Sequence, residues 1–212
     1  IFATGYTASL IDFATIGQTT LTSATMGSDE AYVAKFSATV GTTSWVTYLG
    51  GNDYDRGYGI VADNAGNSYV TGYTESNNIT PTGTFTYSTP TSTSDEKDAF
   101  VAKFDTMGSQ SFFLYLGGNE TDYADDIALS GTDLYVVGRT ESDNFSGSNN
   151  ASVAGYYDAY VSKINIATTP VFSGTGTQLV GGSEQEYGYG VALDSSGNVF
   201  ITGRTESAAL SN

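Results

Sequence analysis

One phrase returns along this chain at nearly constant intervals, and it limits the fold more than any other feature. It begins with an aromatic residue, Leu or Val, and Gly-Gly, followed by a run of acids. A short apolar stretch then leads to an Asp-x-x-Gly-Asn turn, and the phrase closes on Gly-x-Thr. The glycine of that last element stands at Gly5, Gly72, Gly138 and Gly203, with intervals of 67, 66 and 65 residues. A second marker, acid-Ala-aromatic-Val-Ala/Ser-Lys, stands at Glu30 to Lys35, Asp98 to Lys103 and Asp158 to Lys163. A period of this length means one supersecondary unit copied side by side, each copy burying its faces on its neighbours. The copies run over about residues 1–51, 52–118, 119–182 and 183–212.

The second copy reads as four strands. Residues 57–63 and 68–74 flank the turn Asp63-Asn64-Ala65-Gly66-Asn67, in which Asp caps through its side chain and Gly supplies a positive φ. After a polar stretch over 75–97 come strands near 99–104 and 112–116, joined by the turn at 105–109. Runs such as Ile60-Val61-Ala62 and Phe112-Phe113-Leu114-Tyr115-Leu116 are apolar without alternation, which indicates strands covered on both faces. Four short antiparallel strands per copy, stacked face to face, make the blade of an all-β propeller. A flat β-solenoid is the rival architecture, with shorter repeats. The third copy departs at Ser130-Gly131-Thr132-Asp133, and residues 164–177 read as irregular.

The segments Tyr48-Leu49-Gly50-Gly51, Gly59-Ile60-Val61-Ala62-Asp63, Gly66 to Gly72 and Asp98 to Lys103 resemble the bacterial and archaeal SBBP β-propeller repeat. The resemblance covers the chain outside its long polar loops. It implies a propeller of about seven blades, secreted or exposed on a microbial surface, and it supplies no catalytic residue. Counting strands gives a little over three blades with partial blades at both ends. The expectation is a segment of a larger propeller, completed by its remaining blades or by another copy across open strand edges.

Composition narrows the function classes. Without Cys or His, thiolate chemistry, disulfides, the Ser-His-Asp triad and the usual zinc sites are excluded. Seven Lys plus Arg against 23 Asp plus Glu give a net charge of −16, which argues against a nucleic-acid partner. No apolar run approaches the roughly 18 residues of a membrane-spanning helix. The acidic, Thr- and Ser-rich composition points to an extracellular or cell-surface protein. Four Asn-x-Ser/Thr acceptors occur at Asn78, Asn119, Asn144 and Asn150, no more than this composition yields by chance.

In an up-and-down blade the short turns share one face and the long connections, here 8–28, 75–97 and 141–156, share the other. On the long-loop face a pair of acids follows each Gly-Gly: Asp53 with Asp55, Glu120 with Asp122, and Glu184 with Glu186. These acids could form a carboxylate ring for calcium or a cationic ligand, or they could cap turns between blades. Their recurrence favours the second reading. Asp125 and Asp126 are extra acids confined to the third copy. Phe85, Tyr87, Phe145 and Tyr156 are the loop aromatics suited to stacking on sugars. Lys35, Lys103 and Lys163 share one repeat position, as do Tyr6, Tyr73, Arg139 and Arg204, and both sets read as packing residues. The expected function is a non-catalytic structural, adhesive or protein-interaction module without a cofactor. Its partners would be other surface proteins or glycans. A glycan- or calcium-binding module is the alternative, and a carboxylate-dependent glycosidase or lyase the least favoured.

Overall fold

A computed structural model describes residues 1–8, 19–21, 29–37, 43–79, 96–148, 156–168 and 170–210. They form strands and turns only. The first sheet contains β1 (Phe2–Thr7), β2 (Thr19–Leu21), β3 (Glu30–Phe36) and β4 (Thr43–Leu49), in the order β1-β3-β4-β2. The second contains β5 (Asp55–Ala62), β6 (Ser68–Thr74), β7 (Asp98–Phe104) and β8 (Gln110–Leu116) in sequence order. The third contains β9 (Asp122–Ser130), β10 (Asp133–Thr140), β11 (Asp158–Asn165) and β12 (Val171–Val180), again consecutive. The last pairs β13 (Glu186–Leu193) with β14 (Val199–Thr205).

These are antiparallel blades of a β-propeller, and they do not close into a ring. Two details differ from the sequence reading. Three residues of the expected loop over 8–28 form β2, which adds to the outer edge of the first sheet parallel to β4. The stretch read as irregular is largely the long strand β12, with a register shift between Ser162 and Ile164 accounting for the broken pattern.

Both faces of the second blade are buried, which explains its unalternating apolar runs. Phe100, Ala102, Phe104, Phe113 and Tyr115 join Val33, Trp45 and Leu49 of the first blade in one core. Ala99, Val101, Phe112, Leu114 and Leu116, the intervening residues of the same strands, join Ile127, Leu134, Val136 and Tyr160 of the third blade in another. Successive side chains of a strand point to opposite faces, so each strand serves two seams.

The inner strands follow one another, β5 beside β1 and β9, and β13 beside β9 and β10. Each strand-one to strand-two pairing carries a register shift, between Gly57 and Gly59, at Val137/Gly138, and between Gly188 and Gly190. The repeat glycine sits at this bulge. A β-carbon on Gly138 would run into the Tyr123 carbonyl oxygen and lie 2.9 Å from Ala124 Cα, so the position demands close backbone approach. The Asp63 turn forms as read: Gly66 has φ +86°, and Asp63 Oδ1 accepts from Ala65 N at 3.0 Å and Asn67 N at 2.9 Å. At the other end, β14 pairs among the described residues with β13 alone, and Phe200 is 58% exposed.

Candidate functional site

The recurring acids separate into an inner and an outer set. Asp55, Asp122 and Glu186 are the first residues of β5, β9 and β13, and are 1%, 0% and 2% exposed. The inner strands start earlier than the apolar pattern suggests, and this draws those acids out of the loop into the seam. Asp55 Oδ2 accepts from Gly51 N at 2.8 Å and from Ser76 Oγ at 2.8 Å. Asp122 Oδ2 accepts from Gly118 N at 2.8 Å and Ser142 Oγ at 2.9 Å. Glu186 Oε1 accepts from Thr205 Oγ1 at 2.7 Å. The outer members Asp53, Glu120 and Glu184 stay at the surface, and their backbone N–H groups donate to Ser76, Ser142 and Ser207 Oγ, each at 2.9 Å. The two acids of a pair therefore do not present themselves together as a carboxylate ring.

The inner acids face a second acid instead. The first residue of each third strand, Glu30, Asp98 or Asp158, is 1%, 3% or 4% exposed and reaches the same seam from the preceding blade. The first glycine of the first two Gly-Gly pairs lies against this encounter. A β-carbon on Gly117 would lie 2.5 Å from Asp98 Oδ1 and 2.9 Å from Asp122 Oδ2. One on Gly50 would overlap Glu30 Oε2 and lie 2.6 Å from Asp55 Oδ2. The second glycine makes room for the serine that follows the Gly-x-Thr element: a β-carbon on Gly51 or Gly118 would lie 2.6 or 2.5 Å from Ser76 or Ser142 Cβ. Burial and then the nearby Asp55 push the Glu30 carboxyl up to about 7. Burial also raises Asp55 to about 6, against hydrogen bonds from Thr74, Gly51 and Ser76, with Asp53 adding to the rise. Asp122 is raised to about 7 by burial, opposed by Thr140, Gly118 and Ser142 and assisted by Asp98.

The acids peculiar to the third copy are both engaged. Asp125 forms an ion pair with Arg139 at 2.8 Å; burial raises its carboxyl while Arg139 lowers it. Asp126 Oδ2 accepts from Val191 N of the next blade at 2.9 Å. Its neighbours at the same repeat position are Gly59 and Gly190, and Asp126 lies close to both.

Beside this seam runs an aromatic series that the sequence reading missed. Ring centroids step from Tyr58 to Tyr73 at 5.8 Å, Tyr73 to Tyr123 at 5.2 Å, Tyr123 to Tyr157 at 6.3 Å and Tyr157 to Tyr187 at 5.6 Å. Directly opposed residues of strands one and two are Arg56 and Tyr73, Tyr123 and Arg139, and Tyr187 and Arg204. Arg139 lies 3.9 Å from the Tyr123 centroid, and Arg56 lies 4.3 Å from that of Tyr6 in the preceding blade. The signal was present in the compensating exchange of Arg and Tyr between the two strands. The repeated lysines follow the same pattern, Lys35, Lys103 and Lys163 lying over Phe2, Tyr69 and Tyr135 directly across the ladder.

One sugar-stacking candidate is overturned. Phe145 is 2% exposed with its ring 4.4 Å from that of Tyr160, because an apolar residue after the Thr-Glu-Ser segment folds back into the core. Tyr156 is 73% exposed, and Tyr54, Tyr58 and Tyr189 also show large faces. Phe85, Tyr87 and Asn150 lie outside the described residues, whereas Asn78, Asn119 and Asn144 are exposed. Asn78 Oδ1 accepts from Asn52 N at 3.0 Å. Among the described residues no three acids converge to hold a metal ion.

Four-stranded blades, bulged inner strands and a seam built from repeat-borne acids define a β-propeller repeat protein. The family described as SBBP, a beta-propeller repeat, matches residues 44–80 and 176–208. Repeats of this family are typically found in surface or secreted proteins. No curated protein matches the chain.

Proposed function

We propose that this chain is a non-catalytic propeller module of a microbial cell surface, acting as a structural, adhesive or protein-interaction element. The observation that carries the reading is the engagement of the repeat-borne acids in the scaffold. Asp55, Asp122 and Glu186 accept hydrogen bonds inside the seams, Asp125 pairs with Arg139, and Asp126 accepts from Val191 N of a neighbouring strand. A carboxylate-dependent hydrolase needs two acids free to face a substrate across a cleft. Here the most differentiated acids are tied to protein groups. The partner of an adhesive module would be another surface protein.

A second reading, glycan binding, is favoured by the exposed tyrosines on the inner strands. Tyr58 and Tyr189 occupy the same repeat position and are 38% and 47% exposed. Exposed flat rings of this kind can stack on the apolar face of a sugar.

Two experiments test these readings. Antibody labelling and protease shaving of intact cells producing this protein should find the module outside. Beads coated with the chain should then adhere to those cells more than bare beads. A module found only inside cells, or coated beads no more adhesive than bare ones, would refute the first reading. For the second, a glycan array on which wild type and a Tyr58→Ala, Tyr189→Ala variant give equal signals would remove those rings from binding.

A further inference from the structure

The acids in the blade seams meet other acids, and the usual cations are turned elsewhere. Arg56, next to Asp55, pairs with Asp29, and Lys97, next to Asp98, pairs with Glu75. Among the described residues neither oxygen of Glu30 has a hydrogen-bond partner, and one oxygen each of Asp55, Asp122 and Glu186 is also unmatched, although all four residues are at least 98% buried. An acceptor without a donor in such a place is costly, and two facing carboxylates cannot both hold their charge there. One proton resolves both problems, since a carboxyl group donates to the carboxylate opposite. A calcium ion would need six to eight oxygens. Each seam offers two carboxyl groups, and in the first two seams a backbone N–H and a serine hydroxyl already bond to the inner one.

We propose that the first two seams each hold a carboxyl pair, Glu30 with Asp55 and Asp98 with Asp122, that shares one proton and makes blade-to-blade packing sensitive to pH. The device repeats because both acids belong to the repeat and Gly50 and Gly117 leave room for them to meet.

Several other groups face the pairs. Asp53 approaches Asp55 from the preceding connection, and Thr74 and Ser76 approach from the end of β6. Tyr115 of β8 senses Asp55 and Asp98, while Tyr160 of β11 senses Asp122, Asp125 and Arg139. The neighbouring acids and neutral phenols favour retention of the proton. The raised Glu30, Asp55 and Asp122 carboxyls agree with this arrangement. For an acid raised in the folded state, stability is fully present below the unfolded value, near 4.5 for Glu30. It is lost as pH rises through the folded value, about 7. The seams should therefore be tight in acid and loosen toward neutral pH.

Carboxyl-carbon NMR of the wild-type chain between pH 3 and 9 tests this directly. Glu30 should titrate near pH 7, with Asp55 and Asp122 also above the ordinary range. Melting in 0.5 M salt, which screens the general repulsion of an acidic chain, should fall from pH 5 to pH 8. Glu30→Gln should flatten that fall, and the exposed control Glu184→Gln should retain it. Ordinary titration of all three acids below pH 5, or an unchanged slope in Glu30→Gln, overturns the proposal. So does a rise in melting temperature with calcium that chelator reverses, since a cation would then occupy the pair. If Glu30→Gln does not fold, the wild-type titration decides alone.

Discussion

The repeat glycine offers the sharpest test of how the sequence makes this fold. Gly138→Ala adds one methyl group where β10 meets the bulge of β9. The new carbon would overlap Tyr123 O and lie 2.9 Å from Ala124 Cα, whereas carbon atoms in contact rest about 3.5–4.0 Å apart. Both obstacles are backbone, so no rotamer change relieves them. The inner strand must move by an ångström or its bulge must open. Overpacking of this kind costs about 1–3 kcal/mol, and losing one or two ladder hydrogen bonds adds about 1 kcal/mol each. A total of about 2–5 kcal/mol should lower the melting temperature by about 4–20 °C for a chain of this size. Gly5→Ala is the internal control. There the carbon would meet the Tyr32 ring at 2.9 Å, a side chain rather than backbone. It should cost less than half as much. Thermal melts followed by tyrosine circular dichroism measure both. A Gly138→Ala variant melting within about 2 °C of wild type would refute the close-approach explanation, as would a Gly5→Ala variant at least equally damaged.

Other expectations follow from the same geometry. Phe145→Ala should cost about 3–5 kcal/mol, because the ring is buried on Tyr160; a loss under 1 kcal/mol in denaturant unfolding would mean the pocket repacks. Asp126→Ala removes the acceptor of Val191 N and should cost about 1–3 kcal/mol. Hydrogen exchange should locate the loss in β13, and unchanged protection at Val191 would contradict the assignment. Asp63 has its carboxyl held below the ordinary range: burial raises it, but bonds from the Asn67 side chain and backbone, Tyr69 and Ala65 outweigh that effect. Its contribution is present above the unfolded value and lost as pH falls through the lowered one. Asp63→Asn should therefore weaken the acid dependence of stability below about pH 4, and an identical acid limb in the two proteins would refute this.

Much of the scaffold was legible because it is written several times. The Asp63 turn could be read from one copy, since an Asp capping group and a glycine at positive φ are local requirements. The four-strand blade followed from the spacing of two markers. The buried-both-sides strands followed from apolar runs that do not alternate. Where a residue points is less local. Phe145 looked like a loop aromatic until the chain after β10 turned it onto Tyr160. Asp53 and Asp55 looked like one pair until the start of β5 placed Asp55 inside the seam and left Asp53 at its rim.

The sequence by itself determined a stack of four-stranded blades, because a period near 66 residues and its punctuating glycines admit little else. It also removed His and Cys chemistry outright. Only the tertiary structure decided that an acid from the third strand of one blade meets an acid from the first strand of the next. Glu30 and Asp55 are 25 residues apart and belong to different copies of the repeat. No periodicity within one copy shows that they share a seam. Packing of adjacent blades brings them together, and burial converts two ordinary acids into a site for a proton.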